Sequence, residues 1–145
     1  MIRNFFVFLA FLLGTSATVF AADGVITASA ASLEAQAGTR ILIDVRHVTE
    51  WRQTGVPANA KEITIHDPNG LTSFVSKISA AVKGDKNAPI ALICARGYRS
   101  TKAAQILAQA GFKNIRDVRE GMLGNRDDGP GWLKRRLPTQ PCKSC

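Results

Sequence analysis

At 145 residues the chain has the length of one domain, and its formal charge is +8, with 19 basic residues against 11 acidic ones. The basic residues are dispersed apart from "WLKRRLP" near the end, and they do not alternate with aromatic residues in the way that stacks bases. The charge therefore reads as solubility and attraction for small anions, and nucleic acid is excluded as a partner. Three cysteines, an odd number, leave at least one thiol unpaired in an oxidising compartment.

The chain opens on "MIRNFFVFLAFLLGTSATVFAADG", with one Arg near its start, an apolar core from Phe5 to Leu13, then small and polar residues. Val19 and Ala21 stand at a −3/−1 spacing, so residues 1–22 are predicted to be a secretory signal peptide and the mature protein to be periplasmic. The dense apolar core is about nine residues, short of the roughly 20 that a spanning helix needs. No stable membrane insertion after cleavage is expected. No cysteine lies near the cleavage site, which excludes lipid attachment there.

Beyond the signal, "SAASLEAQAG" has helical composition, with Gly38 placed to end it, and "RILIDVR" reads as a buried strand over Ile41–Val45. "VTEWRQTG" is a short helix closed by Gly55, "KEITI" a brief strand and "DPNG" a turn. In "LTSFVSKISAAVK", Leu71, Phe74, Val75, Ile78 and Val82 recur at helical spacing and predict one buried face. "PIALIC" is a continuous apolar run, as expected of a strand covered on both sides. "TKAAQILAQAG" follows as a helix, "FKNIRDV" as a strand, "EGMLGN" as a helical turn and "GWLKRRLP" as a short closing helix. Alternating strands and helices with short links predict an α/β domain with a largely parallel central sheet flanked by helices, a three-layer arrangement. In such sheets ligands sit beyond the carboxyl ends of the strands, where Asp44 and Cys94 both fall.

The segment after Cys94 concentrates the chemistry. Cys94 ends an apolar strand and is followed by Ala95, Arg96, Gly97, Tyr98 and Arg99, with Ser100 at the start of the next helix. Unpaired N–H groups at a helix N-terminus, amides of a tight loop turned inward, and two arginines each favour a thiolate, the nucleophilic form of the side chain. Gly97 permits a turn that a side chain would obstruct, and Ser100 is expected to cap the helix. A cysteine that merely fills space at the end of a strand accounts less well for strand, cysteine, basic glycine loop and helix together. Cys142 and Cys145 can pair with each other, leaving Cys94 as the free thiol.

"CARGYRS" is similar to the active-site signature of the rhodanese-like sulfurtransferases, and "LIDVRHVTEW" resembles the upstream motif of that family. "AGFKNIRDVREGMLGN" and "GPGWLKRRLP" resemble its closing segments, so the likeness spans residues 25–138 and leaves 139–145 as a C-terminal tail. Val56 stands where the family commonly has His, and Arg136 where it commonly has Gly. The resemblance implies a secreted single-domain sulfurtransferase. Cys94 would take a sulfane sulfur from an anionic donor such as thiosulfate, hold it as a persulfide, and yield it to cyanide or a thiol. The backbone of Ala95–Ser100 would hold the persulfide, and Arg96 and Arg99 would steer the donor. Asp44 is expected to pair with a loop arginine and Arg46 with Glu50, both in supporting roles.

No cofactor is implied. His47 and His66 are isolated in sequence and offer no metal-ligand spacing, and Trp51 and Trp132 read as core or cover. The tail "PCKSC" reads either as a local disulfide or as a redox pair able to reach the persulfide. Phosphatases and arsenate reductases of similar fold have five residues between cysteine and arginine, against the four here, and are the less favoured reading. A carrier or binding module that keeps sulfur on Cys94 without turnover would use the same loop.

Overall fold

The computed structural model describes residues 24–145. Their elements run α1 (Ala28–Gln36), β1 (Ile41–Asp44), α2 (Val48–Thr54), β2 (Val56–Pro57), β3 (Lys61–Glu62), α3 (Gly70–Ala81), β4 (Ile90–Ile93), α4 (Tyr98–Gln109), β5 (Ile115–Val118), α5 (Gly131–Lys134) and β6 (Thr139–Gln140). The segment read as a signal peptide lies outside the described residues.

Strand β4 carries the centre of the fold. All four of its residues are buried. Ile90 and Leu92, and then Cys94, join one hydrophobic cluster, while Ala91 and Ile93 join another, the alternation of a strand covered on both faces. The first cluster packs Phe74 and Ile78 of α3 and Leu107 of α4 against the sheet. The second packs Ala28, Ala31 and Ala35 of α1 with Trp132 of α5 on the opposite face. Each large side chain so buried stabilises the fold by about 1.5–3 kcal/mol. The expected three layers are therefore present, with a parallel sheet in the order β3-β1-β4-β5.

The order of the strands creates a crevice. The chain leaves β1 towards β3 on one side and leaves β4 towards β5 on the other, so the connections diverge above the neighbouring carboxyl ends of β1 and β4. Ligands of open parallel sheets bind at such a switch point. Asp44 pairs with Ile93 in the register, which puts Cys94 at this crevice.

Several local expectations differ from the structure. "KEITI" gives only a two-residue strand, and Leu71 is exposed because the buried stripe of α3 begins at Phe74. The "EGMLGN" segment is a hydrogen-bonded turn rather than helix, held by Gly121 N donating to the Val118 carbonyl and interrupted by positive φ at Gly121 and Gly124. Strands β2 and β6 form a small antiparallel pair that the sequence pattern does not announce. Val56 is fully buried in it.

Candidate active site

Cys94 follows β4, is 1% exposed, and is the free thiol among the described cysteines, Cys142 and Cys145 being joined in a disulfide. Its Sγ accepts a hydrogen bond from the Gly97 N–H at 3.1 Å and lies 3.5 Å from Ser100 Oγ. Helix α4 starts at Tyr98 with Gly97 as its N-cap, three residues earlier than the sequence pattern indicates. Ser100 is therefore inside the first turn and does not cap the helix. Its hydroxyl donates to the Gly97 carbonyl at 2.9 Å and faces the sulfur. The first amides of α4, on Tyr98, Arg99 and Ser100, have no intrahelical acceptor and carry the positive end of the helix dipole towards the loop.

A second segment braces this loop from outside. Met122 N donates to the Cys94 carbonyl at 2.8 Å and Leu123 N to the Ala95 carbonyl at 2.9 Å. Asn125 Nδ2 donates to the carbonyls of Arg96 and Arg119. Gly121 has φ 66, and a Cβ there would stand 2.5 Å from the Ala95 carbonyl oxygen, so only glycine allows the approach. Glu120 anchors the brace. Its buried carboxylate accepts from Ala28 N, Gly131 N and Arg135 Nε, tying the starts of α1 and α5 together. Gly121, Asn125 and Glu120 were not singled out in the sequence. Their one trace there is the glycine-and-asparagine spacing of "EGMLGN".

The charged residues pair differently from the expectation. Asp44 pairs with Arg46, not with a loop arginine: Arg46 donates to both carboxylate oxygens of Asp44 at 2.7–3.0 Å, and both side chains are buried. The remaining Arg46 donors reach Thr54 Oγ1, the Gly55 carbonyl and the Glu50 carbonyl, not the Glu50 carboxylate. Burial pushes the Asp44 carboxyl up, against the pull of Arg46. Losing one partner from such a buried pair typically costs about 3–5 kcal/mol.

The Glu50 carboxylate instead holds Arg99 in a two-pronged contact of 2.5 and 2.7 Å that spans the crevice between α2 and α4. Arg99 beside it lowers the Glu50 carboxyl to about 2, with the His47 N–H assisting. Arg96 donates to the Gly124 carbonyl at 2.9 Å, a neutral partner. Tyr98 is 85% exposed at the rim of a hollow of about 360 Å³ lined by Arg96, Arg119 and Arg126 and by Asp127 and Asp128. Cys142 and Cys145 are not in the loop. They sit beside α2 and β3 on the same edge of the sheet.

A buried cysteine at the carboxyl end of a central parallel strand, inside a four-residue arginine-containing loop that continues into a helix, defines a class of cysteine-loop α/β domains. The rhodanese-like domain family model matches residues 27–126, and the chain belongs to that family. The uncharacterized protein RP600 of Rickettsia prowazekii is 32% identical over 101 residues, covering 68% of this chain and 81% of that protein. Rhodanese-like domain-containing protein 4 of Arabidopsis thaliana is 28% identical over 103 residues, 67% of this chain and 21% of that protein. Among solved structures, a rhodanese-like domain from Anabaena superposes with a TM-score of 0.64 at 17% identity, covering 83% and 80% of the two chains. The polysulfide-sulfur transferase homodimer from Wolinella succinogenes gives 0.56 at 23% identity, with the same coverage. Both show the shared fold.

Proposed function

We propose that the protein is a sulfurtransferase that moves a sulfane sulfur from a small anion such as thiosulfate to cyanide or a thiol through a persulfide on Cys94. The observation that carries this reading is the Gly97 N–H aimed at Cys94 Sγ at 3.1 Å, within a loop whose Cys94, Ala95 and Arg96 carbonyls are held from outside. Attack by the Cys94 thiolate on the outer sulfur of thiosulfate forms the persulfide and expels sulfite. The acceptor then removes that sulfur and restores the thiolate, a two-step covalent cycle. Amides fixed before the reaction stabilise the anionic persulfide without reorganising, which suits rate enhancement. Arg96, bonded to a neutral carbonyl, draws the donor, while Arg99, paired with Glu50, positions the loop. The family likeness and the Wolinella transferase of the same fold support the assignment. Replacing Cys94 by Ser should abolish thiosulfate:cyanide turnover in a protein that keeps the wild-type urea midpoint, and turnover at the wild-type rate would refute the assignment.

We further propose that the protein works in the periplasm after losing residues 1–22, on the strength of the Val19/Ala21 spacing behind a short apolar core. None of the helices among the described residues is long and apolar enough to cross a membrane. The full chain expressed in a Gram-negative host should appear in the periplasmic fraction with an N-terminus at Ala22 or Asp23. An uncleaved chain in the membrane fraction would overturn this.

A further inference from the structure

The residues past Pro138 do not trail away from the domain. Thr139 and Gln140 pair with β2, and the Gln140 side chain exchanges hydrogen bonds with Asn59 N and the Ala60 carbonyl. After Pro141 the disulfide-closed turn Cys142–Cys145 is clasped to the domain. The successive amides of Lys143 and Ser144 both donate to the Glu62 carboxylate at 2.8 Å, the Ser144 hydroxyl joins them, and Arg52 of α2 donates to the Cys145 carbonyl at 2.8 Å. Burial works against the charge on Glu62, but the Ser144 hydroxyl and the two amides outweigh it and hold this carboxyl below its usual range.

The clasp is close to the reacting sulfur. Glu62 pairs with Asp44, and Asp44 pairs with Ile93, so three residues in one row across adjacent strands lead from the clasp to the residue before Cys94. Two strand spacings make that row about 10 Å long. Helix α2 connects the two places as well, since Glu50 grips the loop arginine and Arg52 grips the tail. From the anchor at Gln140, five residues extend to at most about 17 Å and two to about 7 Å, so Cys145 has a longer range than Cys142 and is the tail thiol suited to move towards the loop.

We propose that Cys142 and Cys145, when reduced, are a built-in dithiol acceptor for the sulfur on Cys94, and that the clasped disulfide is the product of that step; the proposal rests on the sulfur-transfer reading above. The Cys145 thiolate attacks the outer sulfur of the Cys94 persulfide. The bond to Cys94 breaks, Cys94 leaves as thiolate, and Cys145 carries the persulfide. The Cys142 thiolate then attacks the inner sulfur of Cys145, the tail disulfide forms, and hydrosulfide leaves. The sulfane sulfur gains two electrons and the two tail thiols lose them. An external dithiol reductant returns two electrons and two protons to the tail for the next cycle. A tether this short gives the acceptor an effective concentration in the millimolar range.

The test uses the protein with all three thiols reduced, freed of reductant under anaerobic conditions and given one equivalent of thiosulfate. The wild type is expected to release about one hydrosulfide per chain with no added thiol, the loaded persulfide decaying at a first-order rate independent of protein concentration, and to end with the tail oxidised. The Cys142→Ser variant should stall with a gain of about 32 Da on its C-terminal peptide, and the Cys142→Ser/Cys145→Ser variant with the same gain on Cys94. A wild type that keeps its sulfur on Cys94 beside a reduced tail overturns the acceptor role and leaves sulfur transfer standing. Hydrosulfide release by the double variant at the wild-type rate overturns it too. A wild type that neither gains sulfur nor forms thiocyanate with cyanide overturns both readings.

Discussion

At Gly97 the backbone has φ 96, and a Cβ would stand 2.3 Å from the Arg119 carbonyl oxygen, so both the conformation and the space require glycine. The N–H that reaches Cys94 Sγ belongs to this residue, which makes its position part of the chemistry as well as of the turn. Replacing Gly97 by Ala is expected to lower kcat/KM for thiosulfate by about 10²–10³, the usual cost of losing one preorganised donor, and to lower the urea midpoint. Alanine keeps the N–H, so the loss would come from the loop shifting to relieve the contact, and activity within twofold of wild type would show that the loop holds its amide in place without glycine. Gly97 was legible in the sequence as a turn residue, whereas its neighbour across the contact was not, because Arg119 comes from the segment that follows β5, well along the chain. Arg136 shows another kind of partial legibility. It stands where the family commonly has Gly and adopts φ 54, the left-handed conformation that glycine takes without strain.

Helix α2 does more for the site than its seven residues suggest. His47 caps its N-terminus, Glu50 closes a capping box with the His47 N–H, and the same carboxylate clamps Arg99 across the crevice. Because the Glu50 carboxyl is lowered in the fold from its ordinary value of 4.5 to about 2, its contribution is complete above about pH 4.5 and is lost as the pH falls towards 2. The stability difference between wild type and Glu50→Gln should therefore be constant near neutral pH and shrink through that acidic window, measured as urea midpoints. A difference that does not change between pH 6 and pH 3 would contradict the clamp. The elements themselves were largely readable, since the apolar runs and helical spacings fall where strands and helices form. Charge pairing was not. The sequence suggests Asp44 with a loop arginine and Arg46 with Glu50, and the structure exchanges the partners. Burial decides it: the pair closest to the sheet, Asp44 and Arg46, becomes the internal one, and Glu50 on the helix is left to bridge the loops.

For the whole molecule, the strand order does what no single motif does. Diverging connections at β1 and β4 open the crevice, the two hydrophobic clusters fix the sheet beneath it, and the segment from Glu120 to Asn125 holds the cysteine loop from the side of β5. The parallel sheet and the place of Cys94 could be read from alternation and from the run "PIALIC", because burial on both faces leaves a one-dimensional trace. The brace and the tail clasp could not, because they depend on hydrogen bonds between groups as much as 93 positions apart in sequence. All of these features converge on one sulfur atom. The most direct measurement is the intact mass of the protein, with its tail disulfide intact, after thiosulfate and again after cyanide. The account predicts a gain of about 32 Da located at Cys94 and lost with cyanide as thiocyanate appears. No gain, in protein whose Cys94 thiol is shown to be free, would contradict it.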